Sequence, residues 1–298
     1  MKQKMLAFNR ALKHIVHIGG VDMNRLSIQD RARILHCLVE GNSMRATSRM
    51  CDVSINTVTK LLVDVGAACL EFHDKAMRDL PCKRIQCDEI WSFCYSKEKN
   101  VAPENKGVLG FGDVWTWTAL CTDTKLICSY MVGRRYAQDA RYFIQDLEHR
   151  VRHRVQLTTD GHKAYLAAVD AAFGGDIDYA MLVKLYGESK GNDHERRYSS
   201  GECCGAIKGV VCGNPDEKHV STSYVERQNL TMRMGMRRFT RLTNGFSKKV
   251  QNLEFAVALH FMYYNFGRVH KSLRVTPAME AGISDHVWSL EEIAGLAA

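Results

Sequence analysis

The chain reads as an α/β protein: a small all-helical unit, then a larger region of mixed strands and helices. Three observations lead there. Between Ser27 and Gly66 the apolar residues recur at helical spacing. After Pro81 they change to alternating or continuous runs, and the segments that follow take the order three strands, helix, strand, helix, strand. With 298 residues, 46% apolar, 25% charged and only 4 Pro, the chain can bury one large core or two smaller ones.

In the first unit, Ser27 with Asp30 has capping-box spacing, and Ile28, Ala32, Leu35, Leu38 and Val39 form a helical stripe that Gly41 ends. Ser43 caps a short second helix through Met50. The turn Cys51-Asp52-Val53 leads to a third helix, capped by Ser54, whose stripe of Ile55, Val58, Leu61, Leu62 and Val65 stops at Gly66. Short helix, tight turn, short helix is the helix-turn-helix pattern, with Asn56, Thr57 and Lys60 presented to a major groove. The plain alternative is an ordinary three-helix bundle.

Beyond Pro81, strands are expected at Arg84–Tyr95, Val114–Cys121, Leu126–Val132, Gln156–Thr159 and Ile177–Val183, with helices at Ala137–Val151 and His162–Phe173. A Gly-rich interval, 186–218, reads as a long loop or insertion, and a strong helix opens near Ser223. The expected division is a basic segment at 1–24, a helix-turn-helix domain at 25–79, a main domain at 82–277 and a tail at 278–298.

The net charge is +8, and its distribution matters more than its size. From Arg227 to Arg274 the chain carries Arg227, Arg233, Arg237, Arg238, Arg241, Lys248, Lys249, Arg268, Lys271 and Arg274 against one acid, Glu254, an excess larger than that of the whole chain. Together with a helix-turn-helix, this points to a polyanionic partner. Arg233, Arg237 and Arg241 are spaced to share one helical face. The longest apolar run, Phe255–Tyr264, is about ten residues, too short to span a bilayer. No apolar leader opens the chain, so no membrane and a cytoplasmic location are expected. The 11 Cys are scattered and read as buried hydrophobes. Cys203, Cys204, Cys212 and His219 lack paired C-x-x-C spacing, so zinc is not expected.

Three acids stand out. Asp88 lies in the middle of the first strand, Asp160 at the tip of a neighbouring strand and Glu226 early in a later helix, positions that can converge at one edge of a sheet. Such a set suits two hard cations and in-line displacement at phosphorus. Glu89 follows Asp88, and alternation puts the two on opposite faces, so only one is expected at the site. The plain readings are a wet strand acid, a D-G turn and a first-turn helix acid. Trp91, Trp115 and Trp117 read as core rather than base-stacking residues, and His162, His260 and His270 as structural.

The motifs fall in a specific order: R-x-T-x-R with I-N-T-V (Arg45, Thr47, Arg49, Ile55 to Val58), D-E-x-W (Asp88, Glu89, Trp91), V-G-R (Val132 to Arg134), T-D-G-x-x-x-Y (Thr159 to Tyr165), Y-V-E-R-x-N-L (Tyr224 to Leu230) and a tail from Tyr263 to Pro277. In these the sequence resembles the DDE transposases of the insertion-sequence-one type, over most of the chain. The resemblance implies a ribonuclease-H-like catalytic domain, a mixed sheet with flanking helices, behind the helix-turn-helix. It implies metal-dependent cleavage at terminal inverted repeats and strand transfer into target DNA. It selects Asp88 over Glu89 and makes Asp88, Asp160 and Glu226 the catalytic ligands of two Mg²⁺ or Mn²⁺ ions. Arg45, Asn56, Thr57, Lys60, Arg227, Arg233, Arg237, Arg238 and Arg241 become DNA contacts, and the implied assembly is a homo-oligomer on double-stranded DNA. Two departures stand beside it: residues 1–26 hold no Cys for a zinc knuckle, and the 186–218 interval is long. The rival readings are a ribonuclease-H-like nuclease without strand transfer and a catalytically silent helix-turn-helix regulator.

Overall fold

The computed structural model describes residues 26–187, 203–240 and 243–297; the basic segment 1–24 lies outside them. Helices α1 (Ile28–Val39), α2 (Met44–Met50) and α3 (Ile55–Ala76) start where a serine hydroxyl accepts an otherwise unpaired first-turn N–H. Ser27 takes that of Asp30 at 3.1 Å, Ser43 that of Ala46 at 3.1 Å and Ser54 that of Thr57 at 3.0 Å. Each cap contributes on the order of 1 kcal/mol. Helices α2 and α3 meet at 112°, the angle of a helix-turn-helix pair.

Gly66 does not stop α3, which continues ten residues further to Ala76. A Cβ at Gly66 would lie 2.6 Å from the carbonyl oxygen of Phe255, so the glycine is there for close approach between helices. Its partner is α7 (Val250–Met262), and the extended α3 carries the small helical unit onto the main domain.

The main domain is a six-stranded mixed sheet among the described residues, in the order β3-β2-β1-β4-β5-β6. Its strands are β1 (Arg84–Cys94), β2 (Gly112–Cys121), β3 (Ile127–Gly133), β4 (Gln156–Asp160), β5 (Asp178–Tyr186) and β6 (Cys203–Cys212). β1, β4 and β5 run parallel to one another, while β2 and β6 run antiparallel to their neighbours. One face is covered by α4 (Ala137–Glu148) and α5 (Ala164–Phe173), where Trp117 meets Phe143 and Tyr165. The other is covered by α3, α6 (Ser223–Gly235) and α7, where Tyr130 meets His73 and Phe261. This is the helix-flanked α/β sheet expected. The fully buried Trp117, Phe143 and Phe261 each contribute roughly 2 to 3 kcal/mol through burial.

The 186–218 interval is not all loop, because β6 pairs with β5 along its length. Its side chains are exposed or half-buried on both faces, so it carries no alternating signal. After α7 come a π-helical turn at Tyr263–Gly267, α8 (Pro277–Glu280) and α9 (Leu290–Gly295). The Arg31 guanidinium of α1 donates to the Ala294 carbonyl at 2.7 Å, which brings the C-terminal segment back to the first helix. One hydrophobic core therefore runs without a break from Ile34 and Val58 through Trp117 to Ile293. Among the described residues no single helix is long and apolar enough to cross a membrane.

Candidate active site

Parallel pairing of β1 with β4 matches Cys87 to Thr159, so Asp88 and Asp160 come next, side by side where the β4 strand ends. Asp160 is also the turn residue that its D-G sequence suggests: its Oδ1 accepts the N–H of His162 at 3.0 Å. Asp88 Oδ1 accepts the N–H of Glu89 at 2.8 Å, and its Oδ2 accepts the Asn229 amide at 2.8 Å. Glu89 Oε2 accepts Arg135 Nε at 2.9 Å, and Arg135 Nη2 donates to Asp160 at 3.3 Å. The Arg135 guanidinium also lies 4.8 Å from the centre of the Trp115 ring.

The strand alternation holds for Asp88 and Glu89, yet it does not leave Glu89 away from the site as expected. Asp88 meets α6 on one face, while Glu89 meets Arg135 and the α5 residue Tyr165 on the other. Asp160, at a strand end, is reached from both sides. One oxygen from each of Asp88, Glu89 and Asp160 lies within 4.8 Å of the other two. The cost of this crowding is visible in the titration of the group. Burial, then the charge of Asp160, push Asp88 and Glu89 each up to about 7. Glu89 Oε1 is buried without a hydrogen bond, as is the hydroxyl of Tyr165, whose ring lies beside the Glu89 carboxyl group.

Helix α6 is docked by Gln86, two residues before Asp88 on the same strand face. The Gln86 side-chain oxygen accepts the N–H groups of Tyr224 at 2.9 Å and Val225 at 3.2 Å, capping the helix from outside. That anchor sets Glu226 and, one turn later, Asn229 beside β1. Glu226 itself lies outside the three-acid group. Its Oε2 pairs with the Lys184 ammonium of β5, and its Oε1 accepts the Thr222 hydroxyl at 2.6 Å. The structure thus brings Asp88 and Asp160 together and holds Glu226 on a neighbouring cation.

The sequence-predicted nucleic-acid contacts fall in different settings. Arg45, Asn56 and Lys60 are exposed on α2 and α3, and Thr57 bonds the Ser54 hydroxyl at 2.9 Å. Arg227 and Arg237 are exposed, and Arg233 is half-buried. Arg238 donates to Ser247 at 2.8 Å, and burial holds its guanidinium down to about 10. Arg241 lies outside the described residues. The shared helical face expected for Arg233, Arg237 and Arg241 is corrected by the end of α6 at Gly235. Met236 is extended and buried, and Arg237 opens a separate 3₁₀ turn. The carbonyls of Met234 and Gly235, in the last turn of the helix, sit close against Gly41, itself at φ +80°.

Sequence reasoning missed Arg135, Lys184, Gln86 and the role of Asn229. Asn229 lies three residues after Glu226, a spacing that shares a helix face, so it alone carried a readable signal.

The three carboxylates fit a hard divalent cation. Oxygens this close can share an ion at the 2.0–2.6 Å distances such ions take, and all three side chains are oxygen donors of matching hardness. No family model matches the chain, and no curated protein matches it. Among solved structures, the piggyBac transposase synaptic complex with hairpin DNA is similar over 94% of this chain and 72% of that one, at 9% identity and a TM-score of 0.42. The Mos1 mariner paired end complex with Mn is similar over 83% and 78%, at 9% identity and a TM-score of 0.25. The Mos1 transposase paired-end complex with left transposon end covers 60% and 66%, at 12% identity and a TM-score of 0.21. These likenesses are too distant to bear on what the chain does.

Proposed function

We propose that the chain is a metal-dependent DNA transposase of the insertion-sequence-one type. In this reading it binds the terminal inverted repeats of its element, cleaves there and joins the freed 3′-hydroxyl to target DNA. The observation that carries the reading is the convergence of Asp88 and Asp160 at the end of β4, with Glu226 on the adjoining helix. Asp88 and Asp160 would hold the metal, and Asn229 orients Asp88 by its bond to Oδ2. Glu226, released from Lys184, would be the third residue to hold it. When bound, a pair of Mg²⁺ or Mn²⁺ ions supplies Lewis acidity at the attacking and leaving oxygens. Arg227, Arg233 and Arg237 hold phosphates beside the acids, and Arg45, Asn56, Thr57 and Lys60 read the repeat. The protein works as a homo-oligomer on double-stranded DNA in the cytoplasm.

The test is incubation of the full chain with the element's own flanking ends and a target duplex, with and without Mg²⁺. Cleavage and joined products that require Mg²⁺ are expected. Cleavage without joining would make the protein a nuclease, and sequence-specific binding without cleavage would make it a regulator.

A further inference from the structure

Arg135 has no part in the predicted triad, yet it is the cation at the centre of the acid group. Its contacts are unequal. The Nε bond to Glu89 is 2.9 Å and its acceptor side chain is fully buried, whereas the Nη2 bond to Asp160 is 3.3 Å and that side chain is one-third exposed. Trp115 holds the guanidinium from a third side. Asp160 Oδ1 accepts the His162 N–H and Oδ2 accepts Arg135, so a cation drawn to Oδ2 meets the positive charge of Arg135 at that oxygen. A metal and Arg135 are therefore two cations competing for one carboxylate.

Glu89 is placed differently. Its Oε2 is taken by Arg135, its Oε1 is buried without a hydrogen bond, and Tyr165 lies beside the carboxyl group. We infer that Glu89 is the anchor of Arg135 rather than a metal ligand, and that Arg135 is a positioning cation which holds Asp160 in the metal-free protein and yields it when a divalent ion binds. The inference rests on the metal-site reading above. Once Asp160 turns to the metal, Arg135 stays on Glu89 and Trp115. Its freed N–H groups, on a side chain about one-third exposed, then offer a planar fork that suits a phosphate oxygen of the bound strand.

The test uses the full chain without DNA and Mn²⁺ alone, with bound ions and affinity read by titration calorimetry and folding checked by thermal melting. Wild type should bind Mn²⁺ and Asp160→Asn should lose most of that binding. Arg135→Gln should bind more tightly, on the order of tenfold, because one competing charge is removed from a partly solvated site. Glu89→Gln should keep the wild-type number of bound ions. Unchanged or weaker affinity in a folded Arg135→Gln would overturn the competition. Should that variant not fold, Arg135→Met, which removes the charge and keeps an unbranched stem, serves in its place and should also bind Mn²⁺ more tightly, with the same outcomes deciding. Loss of a bound ion in Glu89→Gln, to the extent seen in Asp160→Asn, would make Glu89 a ligand and overturn the anchor. Absence of Mn²⁺ binding in wild type would instead sink the metal-site reading itself and, with it, this inference.

Discussion

Asn229 donates its side-chain amide to Asp88 Oδ2 at 2.8 Å, joining α6 to the middle of β1. Asn229 is 6% exposed, and the carboxylate it serves is pushed up by burial and by three neighbouring acids, Asp160, Glu89 and Glu226. The bond therefore stabilises a charge that the surroundings disfavour. Removing the donor in Asn229→Ala should cost about 2 kcal/mol, the scale of a lost bond to a buried charged group. Asn229→Asp should cost more at pH 8 than at pH 5, since it sets a like charge against Asp88. Urea denaturation at the two pH values measures both. Equal loss for Asp and Ala at pH 8 would show that the amide's partner is not the charge.

The positions of Asp88 and Asp160 were legible because their signals are local. Strand alternation locates Asp88, and an Asp-Gly step after a short apolar run locates a strand tip. Glu89 and Arg135 were not, since they are 46 residues apart and alternation counts faces without saying what reaches round a strand end. Gly66 was misread because a helix-ending glycine and a close-approach glycine look alike until the second helix is in place. β6 was invisible as an edge strand wet on both sides, and the last turn of α6 packs against Gly41, far away in the chain.

The acid group should give the metal-free protein a distinct pH signature. Asp88 and Glu89 sit at about 7 when folded, against ordinary values of 3.8 and 4.5. Between about pH 4 and 7 the folded chain therefore holds protons that the unfolded chain has released, and the group destabilises the fold increasingly as pH rises through that window. Two buried histidines oppose this: burial holds His73 at about 3 and His260 at about 4, so they cost stability as pH falls below 6.5. The difference between wild type and the Asp88→Asn/Glu89→Gln double variant removes their contribution. That variant should gain on wild type from pH 5 to about pH 7 in denaturation midpoints and level off above it. A difference independent of pH would contradict the raised values.

Gly66 offers a test of which of two effects wins. In an open helix, Gly→Ala stabilises by about 1 kcal/mol. Here the added Cβ falls against the backbone of Phe255, and neither helix can give way cheaply. Overpacking of this kind costs roughly 1 to 3 kcal/mol, so Gly66→Ala should lower the melting temperature. A rise would mean that α3 and α7 are less closely apposed than described.

DNA reading by α3 is best tested in the full chain, because the isolated helical unit would lose α7 beneath the second half of α3 and α9 beside α1. Asn56 is exposed in the first turn of α3 and makes no contact that the fold needs. Lys60 pairs with Asp64 at 2.6 Å, but both are exposed, and such a pair contributes under about 1 kcal/mol, little obstacle to exchanging the carboxylate for a phosphate. The two residues should therefore differ in kind. Asn56→Ala should reduce the preference for terminal-repeat over random duplex by about tenfold, the scale of one lost base contact. Lys60→Ala should weaken binding to both duplexes alike and lower the slope of log affinity against log salt by about 1. Fluorescence anisotropy across a salt series separates the two. If Asn56→Ala leaves the preference intact while the protein still melts cooperatively, α3 faces the backbone or water rather than the bases.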